Sequence, residues 1–314
     1  MKLWQRTMIA LARSARAQSL IESMNAVRML SQRFVGGSDA QSVVTTAKHL
    51  AHNKILTSLY YLGEYVDDEQ LVTKNVTEIV QVCSLLAGHG LQIHVSVDPT
   101  QIGSMLSWTK CRENAEQLAR LIGSLASPHR KFLMLDMEDY AVCGPTIELF
   151  HQLHSEGLPV AVTVQAYLHR TGEDLNRLIS TSAAVRLVKG AFAESREHAW
   201  TKRKEITQRY LQLAEMLLLE GTSRTGVYPI FATHDDSLIS AILERAKAAG
   251  WSADQFEFEM LYGVRPALQR SLVEEGYRLR LYVPFGEHWW PYSARRIGEN
   301  PRNALLVARS VLGN

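Results

Sequence analysis

Ile55-Leu56-Thr57-Ser58-Leu59-Tyr60-Tyr61-Leu62 is a short apolar, β-branched run, and Leu91-Gln92-Ile93-His94-Val95-Ser96-Val97 is a second one. Between them lies a stretch with helical periodicity. Apolar residues recur at Leu71, Val72, Val76, Ile79, Val80, Cys83 and Leu86. Asp67 is placed to cap this helix, Asp68 and Glu69 lie in its first turn, and Gly88 and Gly90 stop it. The segment therefore reads as strand, helix, strand.

The same unit repeats outward from this stretch. Further strand candidates are Phe132–Met137, Pro159–Gln165, Val185–Gly190, Tyr228–Thr233, Phe256–Met260 and Arg278–Val283, each separated from the next by about one helix and two turns. Several are almost continuously apolar, as strands of a parallel sheet buried on both faces are. Eight strand–helix units in an undivided chain predict an α/β fold, a (β/α)8 TIM-like barrel over residues 51–314, with an N-terminal helical arm over residues 1–50 and a last helix over the barrel mouth. A doubly wound sheet is the alternative, and no GxGxxG follows an early strand to support it.

The totals narrow the class. The 314 residues are 46% hydrophobic, enough for a substantial core, and 34 basic against 32 acidic residues leave no nucleic-acid footprint. Three cysteines with no CxxC spacing fit a reducing compartment, which predicts a cytoplasmic protein. No apolar run approaches the roughly 18 residues of a membrane span. The first 35 residues carry Lys2, Arg6, Arg13, Arg16, Arg28 and Arg33 against Glu22 alone. An amphipathic packing helix explains this better than a mitochondrial transit peptide, and it leaves peripheral membrane contact open.

In a barrel of this type the chemistry sits at the C-terminal strand ends. Here those ends read Gly63-Glu64, Asp98-Pro99-Thr100-Gln101, Asp136-Met137-Glu138-Asp139, Gln165-Ala166-Tyr167, Lys189-Gly190-Ala191-Phe192, Thr233-His234-Asp235, Leu261-Tyr262-Gly263 and Tyr282-Val283-Pro284-Phe285-Gly286. All are polar or aromatic, whereas the strand bodies read as apolar. Asp98, Asp136, Glu138, His234 and Asp235 offer metal-ligand atoms, but no HxH or HExxH accompanies them, so no metal is expected. His49/His52 and His151/His154 share helix faces and read as solvated or partly packed. Lys189, the lysine at a strand end, suits either a Schiff base or a cation for a phosphate or flavin edge. Past the last strand, Tyr292, Arg295, Arg296 and Glu299 fall at i, i+3, i+4 and i+7 on one helical face. Two guanidiniums on one turn can grip a carboxylate, or belong to a solvated, salt-bridged helix.

Nine segments, in order along nearly the whole chain, resemble the monofunctional proline dehydrogenase family: Arg33–Gly37, Tyr61–Glu64, Asp136–Glu138, Val164–Tyr167, Arg186–Phe192, Phe231–Asp235, Phe256–Gly263, Tyr282–Gly286 and Arg295–Glu299. The resemblance implies FAD-dependent oxidation of L-proline to Δ1-pyrroline-5-carboxylate, with electrons passed to a quinone or other acceptor. It also implies roles. Arg295 and Arg296 would bind the substrate carboxylate, and Tyr282 and Leu261 would pack on the pyrrolidine ring. Asp136 would hold the clamp's charge network, and Gln165, Arg186, Val188, Lys189, Gly190, Thr233 and His234 would contact FAD. From their spacing on the same helical face, Glu299 and Tyr292 would accompany the clamp.

The chain departs from the family's pattern at three places. The family has a lysine after the second strand, within S-x-K-L-[ST]-x-L-G, where this chain has Asp98 in Ser96–Gly103. By resemblance that lysine neutralises the substrate carboxylate, so the change reverses the local charge. Phe192 stands where Tyr is common, and Glu259 where Gln is expected. These departures leave several readings open. Ordinary proline oxidation would have Asp98 paired to a nearby arginine or lysine. A relative acting on another cyclic amine, or on a carboxyl-blocked or carrier-bound prolyl group, would exploit the lost lysine. A non-catalytic barrel is a third reading, and the nearly intact flavin-facing set argues against it. The oligomeric state is not legible.

Overall fold

The structure, a computed structural model, describes residues 33–127, 129–219 and 226–287 together with Trp289 and Tyr292. Helix α1 (Ala40–His52) precedes β1 (Leu56–Tyr61); α2 (Glu69–Gly88), β2 (His94–Val97), α3 (Trp108–Ser124), β3 (Phe132–Leu135), α4 (Tyr140–Ser155) and β4 (Val160–Gln165) follow. The alternation continues through α5 (Thr171–Ser180), β5 (Ala184–Val188), α6 (Arg203–Leu219), β6 (Tyr228–Ala232), α7 (Asp236–Ala248), β7 (Glu257–Leu261), α8 (Pro266–Glu274) and β8 (Leu279–Phe285). The strands form a closed barrel in chain order, every neighbouring pair parallel, and β8 returns to β1 with Leu56 opposite Arg280 and Tyr61 opposite Phe285. The predicted (β/α)8 architecture is the observed one.

Local chemistry sets the element boundaries. Asp39, Asp68, Ser107, Asp139 and Asp235 each cap a helix by accepting a backbone N–H two or three residues on. For α2 the cap is Asp68 rather than the predicted Asp67: its extended backbone brings Oδ1 within 2.9 Å of Leu71 N, and Asp67 stands one residue too early for that reach. Leu71, expected on the apolar face, is half-exposed in the first turn; the buried stripe runs Val72, Asn75, Val76, Ile79, Val82, Cys83 and Leu86.

Side-chain alternation makes two layers. Outward strand residues such as Leu133, Leu135, Val160, Val162, Val185, Leu187 and Phe231 join the helices' buried faces in one large core. The alternate residues Met134, Ala161, Ala184, Tyr228 and Ile230 form a smaller cluster inside the barrel. The strand bodies are not all apolar, as the sequence reading held. Arg186, Glu257, Glu259 and Arg280 lie within strands and are buried, each satisfied by a charge of opposite sign on a nearby strand.

Helix α1 packs Ala40, Val43, Val44, Ala47 and Leu50 into the core beside β1 and β8. Ahead of it, residues 34–37 run along the end of β8: Gly36 N donates to Pro284 O at 2.8 Å, and Gly37 O accepts from Gly286 N at 3.0 Å. β7 stops pairing with β8 at Tyr282, so this segment occupies the strand edge that β7 leaves. It also crosses the β7–α8 turn closely, at Gly263, which has φ +74° and whose Cβ, were it present, would lie 1.8 Å from Arg33 O. The predicted arm up to residue 32 and the predicted last helix, apart from Trp289 and Tyr292, lie outside the described residues.

Candidate functional site

The mouth is built around Arg186, at the middle of β5 and 3% exposed. Its Nε donates to Glu259 Oε2 at 2.9 Å and its Nη2 lies 2.8 Å from Glu259 Oε1. Nη1 donates to Asp136 Oδ1, and Nη2 donates to Ser58 Oγ at 3.1 Å and Ser96 Oγ at 2.9 Å. Burial opposes the guanidinium's charge, but the two carboxylates outweigh it and keep Arg186 protonated. Burial raises the Glu259 carboxyl, and Arg186 pulls it back. Glu259, where the family pattern has Gln, thus contributes a charge that Arg186 uses.

Above Arg186 stands Tyr282. Its hydroxyl donates to Asp136 Oδ2 at 2.9 Å, and its ring lies 5.3 Å from the guanidinium carbon. Asp136 therefore bridges the cation and the phenol. Tyr60 stacks on Tyr282 with ring centroids 5.4 Å apart and donates its own hydroxyl to Asp98 Oδ2 at 2.5 Å. Burial pushes both phenols well up, so both remain donors at neutral pH. Among the described residues the partner of Asp98 is Tyr60 and not an arginine or lysine, while Arg295 and Arg296 lie outside them. Burial, then Glu138, Asp136 and Glu64, push the Asp98 carboxyl well above the usual carboxylate range.

Glu138, also buried, is held at about 7 by burial, against the lowering effect of the Thr100 hydroxyl and N–H that it accepts at 2.7 and 2.9 Å. Thr100 in turn accepts Tyr65 N at 3.0 Å and, through its carbonyl, Val66 N at 3.2 Å. One carboxylate on the β3 end thereby ties the loops after β2 and β1 into a fixed rim.

The other side of the mouth is more open. Val188, Lys189 and Gly190 at the end of β5, His234 after β6 and Leu261 at the end of β7 are half-buried, while Gln165 and Thr233 are buried. Gln165 Nε2 donates to Glu138 O at 2.7 Å. Lys189 Nζ pairs with Asp235 at 2.9 Å, and Asp235 is held down at about 2 by Ser237 and by that lysine. His234 Nε2 accepts Leu261 N at 2.9 Å, which fixes the neutral imidazole's proton on Nδ1. Gly190, at φ +105°, lies where a Cβ would meet the Tyr167 ring at 2.2 Å, so the backbone must turn tightly here. A cation, a hydroxyl and an imidazole N–H on neighbouring strand ends match the edge of a phosphate-bearing, heteroaromatic group, and this donor set fits a flavin dinucleotide.

The structure brings Asp98, Asp136, Arg186 and Tyr282 into one connected network and places Gln165, Val188, Lys189, Gly190, Thr233, His234 and Leu261 around the same mouth. Phe192 lies half-buried in the loop after β5. Tyr292 is buried against Phe34, Tyr60 and Leu62. Arg295, Arg296 and Glu299 lie outside the described residues. Sequence reasoning passed over Tyr60, Ser58 and Ser96, while Thr100 stood in the strand-end set. The signal was available: a serine in each of two adjacent apolar strands, Ser58 and Ser96, has to face a buried polar partner, and here their hydroxyls meet at 3.0 Å. His154, expected solvated or packed, stacks on Phe150 and its Nε2 contacts Thr181 O at 2.7 Å.

A closed parallel barrel whose mouth carries a buried guanidinium, two tyrosines and clustered carboxylates defines an α/β-barrel enzyme that binds a polar small molecule. The sequence profile of the family described as "Pro_dh: Proline dehydrogenase" matches residues 43–309, and the chain belongs to that family. It is 35% identical to "Proline dehydrogenase 1" of Bacillus subtilis over 91% of this chain and 91% of the relative. It is 33% identical to that organism's "Proline dehydrogenase 2" over 90% and 91% respectively. Among solved structures it resembles proline utilization A (PutA) from Bdellovibrio bacteriovorus inactivated by N-propargylglycine, with TM-score 0.80 and 25% identity, covering 91% of this chain and 34% of that one. It thus spans about a third of the PutA chain. As a member of this family the protein is an oxidoreductase.

Proposed function

We propose that the chain oxidises L-proline to Δ1-pyrroline-5-carboxylate with FAD as its cofactor and passes the electrons to a quinone or other acceptor. The observation that carries this reading is the Tyr282–Asp136–Arg186 unit, an aromatic platform fixed by a buried ion pair at the mouth. When bound, FAD supplies the two-electron acceptor for the hydride leaving the carbon next to nitrogen. The chain's own residues position and shield. Tyr282 and Leu261 pack on the pyrrolidine ring, and Asp136 keeps the Tyr282 hydroxyl turned away from the substrate, so the ring meets an apolar face. Arg295 and Arg296, with Glu299 and Tyr292 beside them, bind the substrate carboxylate, and Phe192 borders the same space. Gln165, Arg186, Val188, Lys189, Gly190, Thr233 and His234 hold the cofactor. Orienting both partners in a dry cleft removes most of the entropic barrier to transfer.

Residues 1–50 act as an arm on a catalytic barrel of residues 51–314. No described helix is long and apolar enough to cross a membrane, so a membrane-borne acceptor would be met at the surface. Buried Cys83, Cys111 and Cys143 are free thiols, which suits a cytoplasmic setting. Asp98 favours a second reading, in which the ring carries a blocked or carrier-bound carboxyl group or is another cyclic amine.

The test is anaerobic titration of the purified flavoprotein, following the visible flavin band. L-Proline should bleach it. Bleaching by L-prolinamide alone would replace the first reading with the second, and a flavin reduced by neither would sink both.

A further inference from the structure

Glu259 stands on β7 at the floor of the mouth and is 2% exposed. Its carbonyl accepts Thr233 N at 3.1 Å, and Leu261, two residues on, donates its N–H to His234 Nε2 at 2.9 Å. Its side chain turns into the barrel just below these strand ends, which carry part of the flavin-fitting set. There it meets Arg186, whose Nε donates to Oε2 at 2.9 Å and whose Nη2 lies 2.8 Å from Oε1. Arg186 is anchored at other points too. Asp136 accepts from Nη1, Ser58 and Ser96 accept from Nη2 at 3.1 and 2.9 Å, and Thr163 Oγ1 lies 3.3 Å from Nη1. Holding the guanidinium in place does not require a second carboxylate, because an amide oxygen at position 259 would accept the Nε–H as well. What Glu259 adds is charge. It lies where water and salt weaken that charge little, so the space above the floor feels it.

That space changes charge in the reaction proposed above. The C–H bond next to nitrogen breaks, and a hydride, two electrons and one proton, passes from the ring to the flavin. The ring is oxidised to a protonated imine, and negative charge arrives in the mouth. A guanidinium in the floor favours that charge, and a carboxylate paired to the guanidinium opposes it. We infer that Glu259 is a potential-setting residue: acting through Arg186, it lowers the midpoint potential of the bound flavin, which makes the cofactor a weaker oxidant of the ring and a stronger donor to the electron acceptor. The inference rests on the flavin reading of the mouth and goes beyond it. It concerns one unit of charge at position 259, so it holds whatever other cations meet the substrate.

The experiment is spectroelectrochemical titration of the FAD-loaded full chain and its variants at one neutral pH, reading the midpoint potential. Glu259→Gln keeps the shape and the acceptor for Nε, and Gln is the residue that the family's pattern has there, so the substitution suits the fold. It should raise the potential: the equilibrium constant for two-electron reduction should grow about tenfold or more, which is about 30 mV. Glu259→Asp keeps the charge and should hold the potential near that of the unaltered protein. Ser96→Ala, which takes a neutral partner from the same guanidinium, should also leave it in place. If Glu259→Gln loses FAD, Ser96→Asp carries the test: it adds a carboxylate beside Nη2 and should lower the potential. An unchanged or lowered potential in Glu259→Gln overturns the inference. So does an equal rise in Glu259→Asp or Ser96→Ala, and so does an unchanged potential in Ser96→Asp where that variant carries the test. If L-proline still bleaches the flavin in those cases, the dehydrogenase reading stands. An unaltered chain that takes up no FAD overturns both.

Discussion

Arg186 binds two carboxylates and two serine hydroxyls from the interior of an apolar strand, and a further oxygen, Thr163 Oγ1, lies 3.3 Å from Nη1. Desolvating a guanidinium this completely is unfavourable unless every N–H is met, and here the barrel meets them. The partners are unequal in consequence. Removing the cation takes the shared partner from both the Asp136 and the Glu259 carboxyl in the same cavity, whereas removing the Glu259 charge leaves Arg186 paired to Asp136. Arg186→Gln should therefore lower stability by about 3–5 kcal/mol. Glu259→Gln should cost less, and the double variant should recover part of the Arg186→Gln loss. Urea midpoints of the four proteins measure this directly; additive losses would show that the two side chains are not coupled. At this scale the sequence was only partly legible. Asp136, Arg186 and Tyr282 could be named as site residues, but their joining into one unit depends on Tyr282 reaching across the mouth from β8 to β3, a contact between residues 146 positions apart.

At the scale of elements, period and caps carried most of the reading. Each strand candidate became a strand, because a buried parallel strand is apolar along its length and the turns around it are not. The same property hid Glu257, Glu259 and Arg280: a continuous run does not show which residues face the helices and which face the barrel interior. The cap of α2 shifted from Asp67 to Asp68 because capping depends on backbone angle, which two adjacent aspartates do not disclose. The 33–37 segment was legible only as a motif. Its role as a substitute edge for β8 appears once Gly36 N is seen on Pro284 O, a carbonyl that β7 does not reach. That packing depends on Gly263. Gly263→Ala places a Cβ where Arg33 O lies and also demands a left-handed backbone from a residue with a side chain. The variant should lose about 2 kcal/mol or more. Proteolysis within residues 33–37 should become faster than cleavage in the α5 region. Unchanged protection of that segment would mean the close approach is not what holds it.

Taken whole, the barrel has two poles with different tasks. At the C-terminal mouth, among the described residues, Asp98 rests on a phenol and Glu138 on a threonine. The opposite pole is closed by a compensated network: Arg280 contacts Glu257 at 2.5 Å, donates to Gln92 Oε1 at 2.6 Å and to Thr57 O at 2.7 Å, and Tyr228 donates to Glu257 at 3.1 Å. Polarity at that pole serves stability. One residue there is out of keeping. His94 is fully buried, its ring edge-on to Phe132 at 5.9 Å, and neither ring nitrogen has a hydrogen-bond partner among the described residues. Burial, then Arg280 and Arg186, push its pKa well below 6.5. The folded protein thus keeps His94 neutral while the unfolded chain protonates it as pH falls through 6.5, so stability is whole above that pH and is lost below it. His94→Leu fills similar space without the two polar atoms. It should stabilise the protein by about 1 kcal/mol or more at neutral pH. Below pH 6.5 the advantage should grow by about 1.4 kcal/mol for each further pH unit, until the depressed pKa of the folded state is reached. Urea unfolding of both proteins at neutral pH and at two acidic values reads the effect, and an advantage that does not widen on acidification would show that His94 does not carry the acid sensitivity.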